Sequence, residues 1–537
     1  MTTGGFAAGV QALVVGAGPV GLTVAHELAR RGLSVRLIDA ATEPAVTSRA
    51  IATHPRTLET YDQMGIVEGF LERGQKIKAF TMFAGGRRLV RLAADYSTMP
   101  TRYPFTLIIE QIDTEAVLRK ASAAQGVSVE WGVRLDSVRQ QDDRVEAHLL
   151  HADGRREVCV TPWLVGCDGG HSVVRKQLGL ELVGESSETW MLADAMVDCD
   201  LPRDSLYWVH TGGKALMMVP FRRNGRWRLL DTTAVNDSDS VFAGIADRFA
   251  SKLSSGLGRE ITVSEPEWTS VFTFQQRMIE SMRVGRILLA GDAAHVHSPA
   301  SGQGMNTGIQ EAYNLAWKLA MVVDGYSSDD MLDSYSAERV PIGRDLLEST
   351  KTATFLVQLR NALAGVLLPL VFGVVRNVGP IRTSMQRRIL GGISGLNLAY
   401  PDSPLTTVAT AGSGPQPGQR ASLAAALHPD APGCEALTEE LREVRWTLLV
   451  AGIDDDLSAA EDVEKLYGAW ISVRTVGDSG PHPLPDPDQH LRGALGLESS
   501  GWVLIRPDGY IAARGIAMSS LADALSRISL VTVAASD

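Results

Sequence analysis

Two glycine-rich turns, each preceded by an apolar run, are the residues of this chain best suited to bind phosphate. The first turn is Gly16-Ala-Gly-Pro-Val-Gly21, and the second begins at Gly291-Asp292. Glycines allow the backbone to approach a phosphate closely, and a helix that starts at such a turn presents amide N–H groups and its positive dipole end to the anion. Because the two turns suit opposite ends of one ligand, they predict a bound dinucleotide.

The first turn has the spacing of a dinucleotide-binding fingerprint. Gly16 permits the tight turn, Gly18 has no side chain to hold a pyrophosphate away, and Gly21 lets the next helix pack closely on the strand. Asp39 follows about 20 residues later, where a carboxylate can accept hydrogen bonds from an adenosine ribose. An acid there favours a ribose without a phosphate, so together with the second turn we predict that the ligand is FAD.

Both turns need a strand before them and a helix after them, and the sequence predicts these elements. Apolar runs and helical periodicity indicate strands over 13–15 and 34–38 and helices over 20–31 and 311–323. From residue 11 to about 180 the two patterns alternate, as in an α/β nucleotide-binding region. Between about 181 and 280, short strands joined by polar turns indicate a mostly antiparallel sheet.

The C-terminal part differs again in composition. Residues 396–420 are rich in Pro, Gly, Ser and Thr and are predicted to be a linker. Strands are predicted over 446–451, 469–473 and 502–506, with a turn at Pro507-Asp-Gly509 and helices between them. We therefore predict an α/β protein with a discontinuous first domain (1–180 and 281–395), an inserted sheet domain (181–280) and a C-terminal α/β domain (421–537).

Composition argues against several other classes of protein. The net charge of −11 over 537 residues is unfavourable for general nucleic-acid binding and for an anionic membrane surface. The four cysteines have neither metal-ligand nor CxxC spacing, so we expect no metal site and a reducing, cytoplasmic location. No secretory signal is evident, and the apolar run 362–375 falls short of the roughly 18 residues that span a bilayer. We expect no membrane span.

Three more motifs accompany the two turns. Cys167-Asp168-Gly169-Gly170 follows an apolar strand, a glycine-rich stretch from Pro299 to Asn306 precedes a helix, and Ser48-Arg49-Ala50 follows the second strand. In this order, the motifs resemble those of the FAD-dependent aromatic hydroxylases, which are single-component flavoprotein monooxygenases with the para-hydroxybenzoate hydroxylase fold. The resemblance covers about residues 10 to 395 and is strongest to actinobacterial enzymes that tailor aromatic polyketides and to phenol hydroxylases.

The resemblance implies a fold and a reaction. The expected fold is a Rossmann-like FAD-binding domain, an inserted sheet as substrate domain, and a C-terminal thioredoxin-like α/β domain. The expected reaction uses non-covalent FAD, NADPH or NADH, and O₂ to hydroxylate a polycyclic aromatic polyketide, a phenol or a quinone, through a flavin C4a-hydroperoxide. The cofactor would perform the difficult step while the protein supplies orientation, electrostatics and exclusion of water. The expected protein is a monomer or homodimer.

The resemblance also assigns the cofactor residues. Gly16, Gly18 and Gly21 would hold the pyrophosphate, Asp39 the adenosine ribose, and Asp292 the ribityl or pyrophosphate region. Gln111 matches a glutamine that contacts FAD, and Asp168 matches a motif associated with FAD and the nicotinamide donor. Pro299 and the backbone of Gly302, Gly304, Met305 and Asn306 would face the isoalloxazine, where N–H groups at a helix N-terminus can stabilise negative charge.

Three residues are candidates for a direct part in catalysis: Arg49, Pro299 and Gly302. Arg49 would either follow the moving flavin or pair with a pyrophosphate oxygen. In the inserted sheet, Met217, Phe221 and Trp227 are candidates for substrate contact, although their alternation fits an ordinary core equally well.

Other functions also fit the sequence. The same flavin peroxide could attack a ketone, which would give Baeyer–Villiger insertion, ring opening or rearrangement. The chain could instead be a non-catalytic FAD-binding scaffold with the C-terminal domain as a partner module. A flavin-dependent halogenase is disfavoured because the chain has no WxWxIP segment.

Overall fold

The structure, a computed structural model, describes residues 9–93, 95–211, 214–233, 244–296, 302–358, 384, 390–407, 413–452, 454–497 and 500–527. Within them the chain forms the mixed α/β fold that the sequence predicts. The strands are β1 (Ala12–Val15), β2 (Val35–Asp39), β3 (Ala52–Thr53), β4 (Gln75–Ile77), β5 (Ala79–Ala84), β6 (Arg87–Ala93), β7 (Thr106–Ile108), β8 (Val129–Trp131), β9 (Val133–Gln140), β10 (Val145–His151), β11 (Arg156–Thr161), β12 (Trp163–Gly166), β13 (Val183–Asp198), β14 (Ser205–Thr211), β15 (Lys214–Pro220), β16 (Arg226–Asp231), β17 (Thr262–Val263), β18 (Trp268–Met278), β19 (Arg283–Val284), β20 (Ile287–Leu289), β21 (His295–Val296), β22 (Trp446–Ala451), β23 (Ile471–Thr475), β24 (Gly501–Ile505) and β25 (Ile511–Gly515).

The helices lie between groups of these strands. They are α1 (Pro19–Arg30), α2 (Pro55–Gln63), α3 (Val67–Leu71), α4 (Gln111–Ala124), α5 (Val173–Gln177), α6 (Ile245–Leu257), α7 (Gly304–Val323), α8 (Asp333–Gln358), α9 (Ser422–Leu427), α10 (Pro432–Glu440), α11 (Asp454–Tyr467), α12 (His490–Leu495) and α13 (Ser519–Arg527).

The two strands predicted around the first glycine turn, β1 and β2, belong to a six-stranded sheet. The predicted helix, α1, connects them. The strand order of the sheet is β19-β20-β12-β1-β2-β8, and every neighbouring pair is parallel except β19 and β20. All four residues of β1 are apolar and buried, which is the usual state of a parallel strand covered on both faces. Because β1, β2, β12 and β20 are parallel, the loops after them meet at one edge, where open α/β sheets bind ligands.

A larger, nine-stranded sheet follows the order β21-β18-β13-β16-β15-β14-β5-β6, with β17 beside β13. Its pairs are antiparallel apart from β14 and β5, and β5 and β6 come from an earlier part of the chain than the other strands. One face packs on α6, and we call it the helix face. The other, the aromatic face, carries an apolar cluster that includes Trp190, Trp208, Met217, Trp268 and Phe272.

The C-terminal part contains a four-stranded sheet of order β23-β22-β24-β25. Strands β22 and β23 are parallel, and the other neighbours are antiparallel. The strand predicted over 446–451 is confirmed, and the predicted turn at 507–509 joins β24 to β25. Trp446 of this sheet packs edge-on against Trp317 of α7, with ring centroids 5.5 Å apart. The two parts of the chain therefore share a hydrophobic cluster.

The segment predicted to be a linker packs closely although it has no long element among its described residues. Tyr400, Ser403, Leu405 and Arg420 are all buried. Among the described helices, none is both long and apolar enough to cross a membrane. The described residues also contain no cluster of His, Cys, Asp and Glu suited to a metal ion. The apolar run 362–375 lies outside the described residues.

Candidate cofactor and substrate site

The first glycine turn leaves space for a ligand on one side only. Gly16 has φ of +103°, and a Cβ there would lie 2.4 Å from the carbonyl oxygen of Cys167. A Cβ on Gly21 would lie 1.8 Å from the carbonyl oxygen of Gly16, so both positions require glycine. A Cβ on Gly18, in contrast, would meet nothing within 4 Å. The N-terminus of α1 therefore opens onto free space, as pyrophosphate binding requires.

Asp39 lies at the end of β2, directly beside the first turn. Its carboxylate accepts hydrogen bonds from the backbone N–H of Ala17 at 2.6 Å and of Ala41 at 2.8 Å. These bonds hold Asp39 against the turn while its side chain stays partly exposed. A carboxylate has about four lone-pair sites, so it can still accept hydroxyl hydrogen bonds from a ribose.

Gln111 is the first residue of α4 and connects that helix to the Ser48-Arg49-Ala50 segment. Its side-chain oxygen accepts from the backbone N–H of Ala50 at 3.1 Å, and its amide nitrogen donates to Glu115 at 2.9 Å. Burial raises the pKa of Glu115, against the effect of the Gln111 hydrogen bond. Gln111 thus fixes the position of the segment that carries Arg49.

Asp168, predicted to contact FAD and the nicotinamide donor, caps its own loop. It accepts hydrogen bonds from the hydroxyl of Ser172 at 2.5 Å and from the backbone N–H groups of Val173 and Val174 at the start of α5. Arg175 then donates to the carbonyl of Ala293 at 3.1 Å and to that of Gly170 at 3.0 Å. The Asp168 loop and the second glycine turn are therefore tied together.

Asp292 lies in the second turn, which is one turn of 3₁₀ helix over Gly291–Ala293. Its side chain is accessible to solvent although protein surrounds it, as at the floor of a cleft. Removal from bulk water raises the pKa of the Asp292 carboxyl, while the charges of His295 and Arg49 oppose that rise. Arg49 is thus close enough to act electrostatically on Asp292.

Glu311 was not predicted as a site residue, yet it holds the second turn in place. This fully buried carboxylate of α7 accepts from the backbone N–H of Gly291 at 2.9 Å and contacts Nε2 of His295 at 2.6 Å. Burial would raise the pKa of Glu311, but His295, Arg339 and the Gly291 N–H together lower it. Burial opposes protonation of His295, but the neighbouring Glu311 carboxylate raises its pKa above the usual value, which favours ion pairing between the two side chains. The signal for Glu311 is an acid within the apolar pattern of α7.

The start of α7 lies against β3. The side-chain oxygen of Asn306 accepts from the backbone N–H of His54 at 2.8 Å, and its amide nitrogen donates to the carbonyls of Ala52 at 2.8 Å and Gly302 at 2.7 Å. Gly302 has φ of +63°, and a Cβ there would lie 2.9 Å from Cβ of Ala52. The Asn306 side chain is therefore occupied by the protein, which leaves the backbone of Gly302, Gly304, Met305 and Asn306 as the predicted flavin contacts. Pro299 lies outside the described residues.

A buried ion pair of the large sheet holds the Arg49 segment. Arg228 donates two hydrogen bonds to the carboxylate of Asp194, at 2.7 and 2.8 Å. It also donates to the backbone carbonyls of Ser48 and Arg49, both at 2.7 Å. Arg228 is 2% exposed, whereas the side chain of Arg49 is exposed. Sequence reasoning missed Arg228, although an arginine between the apolar residues Trp227 and Leu229 of β16 is a usable signal.

The three predicted substrate residues fall in different surroundings. Met217 is half-buried on the aromatic face. Phe221 is buried beside Ile51 and Ala52, with the guanidinium of Arg226 4.7 Å from its ring centroid. Trp227 is buried on the helix face, where Tyr207 packs against it at 5.9 Å. The aromatic face therefore includes Met217 and not Trp227, and it also carries the Asp194–Arg228 pair.

Comparison with known proteins identifies a family and several relatives of this chain. Residues 9–350 match the protein family described as FAD binding domain. The chain is 50% identical to 6-methylpretetramide 4-monooxygenase of Streptomyces rimosus over 94% of this chain and 91% of that protein. It is 31% identical to pentachlorophenol 4-monooxygenase of Sphingobium chlorophenolicum over 95% of this chain and 94% of that protein. The solved structure of an anhydrotetracycline hydroxylase from Streptomyces rimosus aligns with a TM-score of 0.75 and 28% identity, over 97% of this chain and 99% of that one.

Proposed function

This chain belongs to the FAD binding domain family and is an FAD-dependent monooxygenase, and we propose that it hydroxylates a polycyclic aromatic polyketide with O₂ and NADPH or NADH. When bound, FAD would supply acceptance of a hydride from the nicotinamide and activation of O₂, with one oxygen atom going to the aromatic ring and the other leaving as water. The observation that carries the proposal is the contact of Arg228 with Ser48 and Arg49, because it holds the aromatic face beside the candidate cofactor residues.

For the cofactor, we propose that the N-terminal amides of α1 bind the pyrophosphate above Gly18, between Gly16 and Gly21. Asp39 would accept from the adenosine ribose and Asp292 from the ribityl hydroxyls. The amides at the start of α7 would stabilise negative charge on the flavin ring, together with Gly302 and Pro299. Gln111 and Asp168 would support these contacts through the segments that they hold. Non-covalent binding is proposed.

For the substrate, we propose the aromatic face as the binding surface. Its half-buried members, including Met217, Trp268 and Phe272, offer apolar and aromatic area to a planar polycycle. Phe221 would contact the substrate from the side of Ile51 and Ala52. A contact with Trp227 would require the substrate to reach the helix face, so we rank it below Met217.

For the whole chain, we propose the division into a discontinuous FAD-binding domain (1–180 and 281–395), a substrate domain (181–280), a linker (396–420) and a thioredoxin-like domain (421–537). Strands β5 and β6 of the first of these contribute to the large sheet. The free cysteines suit a reducing cytoplasm. A monomer or homodimer is proposed.

The proposal is tested by product analysis. Purified protein is incubated with NADPH or NADH, ¹⁸O₂ and a panel of polycyclic phenols that includes 6-methylpretetramide, and product masses are measured. A product that gains one ¹⁸O atom with its carbon skeleton intact supports hydroxylation. An opened or rearranged skeleton would support the Baeyer–Villiger alternative, and FAD binding without any oxygenated product would favour a scaffold. Reactions without nicotinamide serve as the control, as does the Cys434→Ser variant, whose substitution lies in a buried cluster of the C-terminal part.

A further inference from the structure

The hairpin turn between β24 and β25 of the C-terminal part places a charged side chain in the interior of the first part. Arg506, with almost no exposed surface, donates to both carboxylate oxygens of Glu338 in α8, at 2.6 and 3.0 Å. It also donates to both oxygens of Asp508 in the same turn, at 2.9 and 2.6 Å. This bidentate geometry fixes the hairpin turn relative to α8.

Glu338 is shared by several further buried groups. Lys318 and Asn314, both in α7, donate to it at 2.7 Å, and the hydroxyl of Ser403 donates at 2.5 Å. Burial lowers the pKa of Lys318 to about 8, against the attraction of Glu338. The carboxylate thus joins α7, α8, the 396–420 segment and the hairpin turn at one point.

The next residue along α8, Arg339, continues this network toward the second glycine turn. Its Nη1 donates to the hydroxyl of Tyr400 at 3.0 Å, and its Nη2 donates to the carbonyl of Thr307 at 3.2 Å. Nη2 also lies 3.8 Å from the carboxylate of Glu311. Tyr400 packs edge-on against Tyr510 of the hairpin turn, with centroids 4.6 Å apart. Arg339 is therefore held on one side by the C-terminal part and faces Glu311 on the other.

We propose that the 396–420 segment and the C-terminal domain together position the FAD site: Tyr400 of that segment, packed on the Arg506–Tyr510 hairpin turn, holds Arg339, and Arg339 holds Glu311 in the orientation that fixes the Gly291–His295 turn. Glu311 transmits its orientation to the turn through its hydrogen bonds with the Gly291 N–H and with His295. The link to FAD rests on the proposed function, which assigns this turn to the cofactor. Arg339, Tyr400 and Arg506 are positioning residues, since none of them lies at the ligand edge of the parallel sheet.

Docking of the domain alone does not require this network. Trp317, Trp446 and their neighbours already form a shared apolar cluster, and buried charges are costly unless each is paired. The cost of burying these charged groups is understandable if the network that ends at Gly291 serves to position that turn. Because this network connects the C-terminal domain to the Gly291 turn, the domain differs from an independent partner module.

The test uses the full-length protein and two tyrosine variants. Tyr400→Phe removes only the hydroxyl that accepts from Arg339. Tyr207→Phe is the matched control, because its buried hydroxyl donates to the carbonyl of Pro202 on the helix face. Amide hydrogen exchange of the peptide containing Gly291 is measured without FAD, and the Kd of FAD is measured by quenching of flavin fluorescence. We expect Tyr400→Phe to speed exchange at Gly291 and to raise the Kd about fivefold, and Tyr207→Phe to change neither.

The possible results separate this proposal from the proposed function. If both variants lower Tm alike and neither changes Gly291 exchange, the domain only docks and the positioning proposal is wrong. If exchange at Gly291 changes but Asp292→Ala leaves the FAD Kd unaltered, the turn is positioned as proposed and its assignment to FAD fails. Arg339→Gln, which removes the charge and shortens the side chain so that it no longer reaches Tyr400 and Glu311, is expected to exceed Tyr400→Phe in its effect on exchange.

Discussion

Among the individual residues of the site, the carboxylates differ in what their oxygens already contact. Asp168 is occupied by Ser172 and by two backbone N–H groups, and Glu311 by Gly291 and His295. Asp292 is accessible to solvent, and the surrounding protein raises the pKa of its carboxyl by displacing bulk water. The carboxylate that is least committed to the protein is therefore the one most available to the cofactor.

Asp292→Ala is expected to weaken FAD binding. A hydrogen bond to a charged group contributes about 1.5–3 kcal/mol, so the Kd of FAD should rise about 10- to 100-fold. Titration of the apoprotein with FAD, followed by fluorescence, measures this change. Cys434→Ser is the control, since Cys434 is buried in the C-terminal part. Equal Kd values for the Asp292→Ala protein and the parent would refute the role of Asp292.

Arg228→Met is expected to destabilise the protein strongly, since it leaves the carboxylate of Asp194 buried without its main partner. Loss of one partner from a buried ion pair costs about 3–5 kcal/mol of unfolding free energy. Urea unfolding of the variant measures this cost. Lys465→Met, which removes an ion pair with Asp462 whose side chains are both mostly exposed, should change the value by less than about 0.5 kcal/mol. Similar losses of unfolding free energy in the two variants would show that the buried ion pair stabilises the protein no more than the exposed one.

At the scale of elements, the site depends on how closely helices approach the loops. A Cβ on Gly308 of α7 would lie 2.6 Å from Cγ2 of Val20 in α1 and 3.1 Å from Cα of Gly291. Three elements thus converge at one glycine, and the second turn is in contact with both helices. Any side chain larger than hydrogen at position 308 would push α7 away from α1 and from the Gly291 turn.

Gly308→Ala is expected to lower stability by about 1–3 kcal/mol through overpacking, although alanine favours helix by about 1 kcal/mol. Because the shift would displace the Gly291 turn, FAD affinity should fall as well. Gly493→Ala in α12 is the matched control, since a Cβ there meets nothing within 4 Å. That variant should be neutral or slightly stabilised in thermal unfolding. A gain of stability in Gly308→Ala would mean that the helices can separate freely.

Arg36 of β2 links β8 and β11 through carboxylates, and this link predicts a pH dependence. Arg36 donates to Glu130 at 2.8 Å and to Glu157 at 2.5 Å, and the hydrogen bond from Arg36 lowers the pKa of Glu157 from 4.5 to about 2. The stabilisation is therefore complete above pH 4.5 and lost as the pH falls toward 2.

Glu157→Gln should cost on the order of 1 kcal/mol at pH 7, after allowance for solvent screening. The difference from the unsubstituted protein should shrink progressively between pH 4.5 and 2. Urea unfolding at several pH values checks this course. A difference that stays constant over that range would contradict the pairing.

For the whole molecule, the shared apolar cluster and the buried charges predict that the two parts unfold together. Trp446 is fully buried against Trp317, and Arg442 of the C-terminal part pairs with Asp62 of α2 at 2.7 Å. Trp446→Ala should cost about 3–5 kcal/mol and lower the temperature of one common transition in calorimetry. Leu466→Ala, at a side chain 57% exposed, should have little effect. Two separate transitions would show that the parts are independent.

Features that depend on local spacing could be predicted from the sequence alone. Strand β1, its glycine turn, helix α1 and Asp39 follow one another within about 30 residues, and each element has its own residue pattern. The alternation of β15 and β16 likewise placed Met217 and Trp227 where neighbouring strands could bury them. The order of motifs was sufficient to indicate the family, which the comparison confirmed.

Contacts between residues from distant parts of the chain are visible in the folded structure and not in the sequence. Helix α7 begins at Gly304 and not at 311, because the weak helix formers at its start pack on β3 and on the Gly291 turn. Arg228 and Glu311 acquire their partners across long stretches of chain, and no local pattern encodes such a contact. The position of Arg228 on the aromatic face also depends on tertiary packing. Strand alternation defines two faces of the sheet, and packing determines which of them adjoins the Ser48-Arg49 segment.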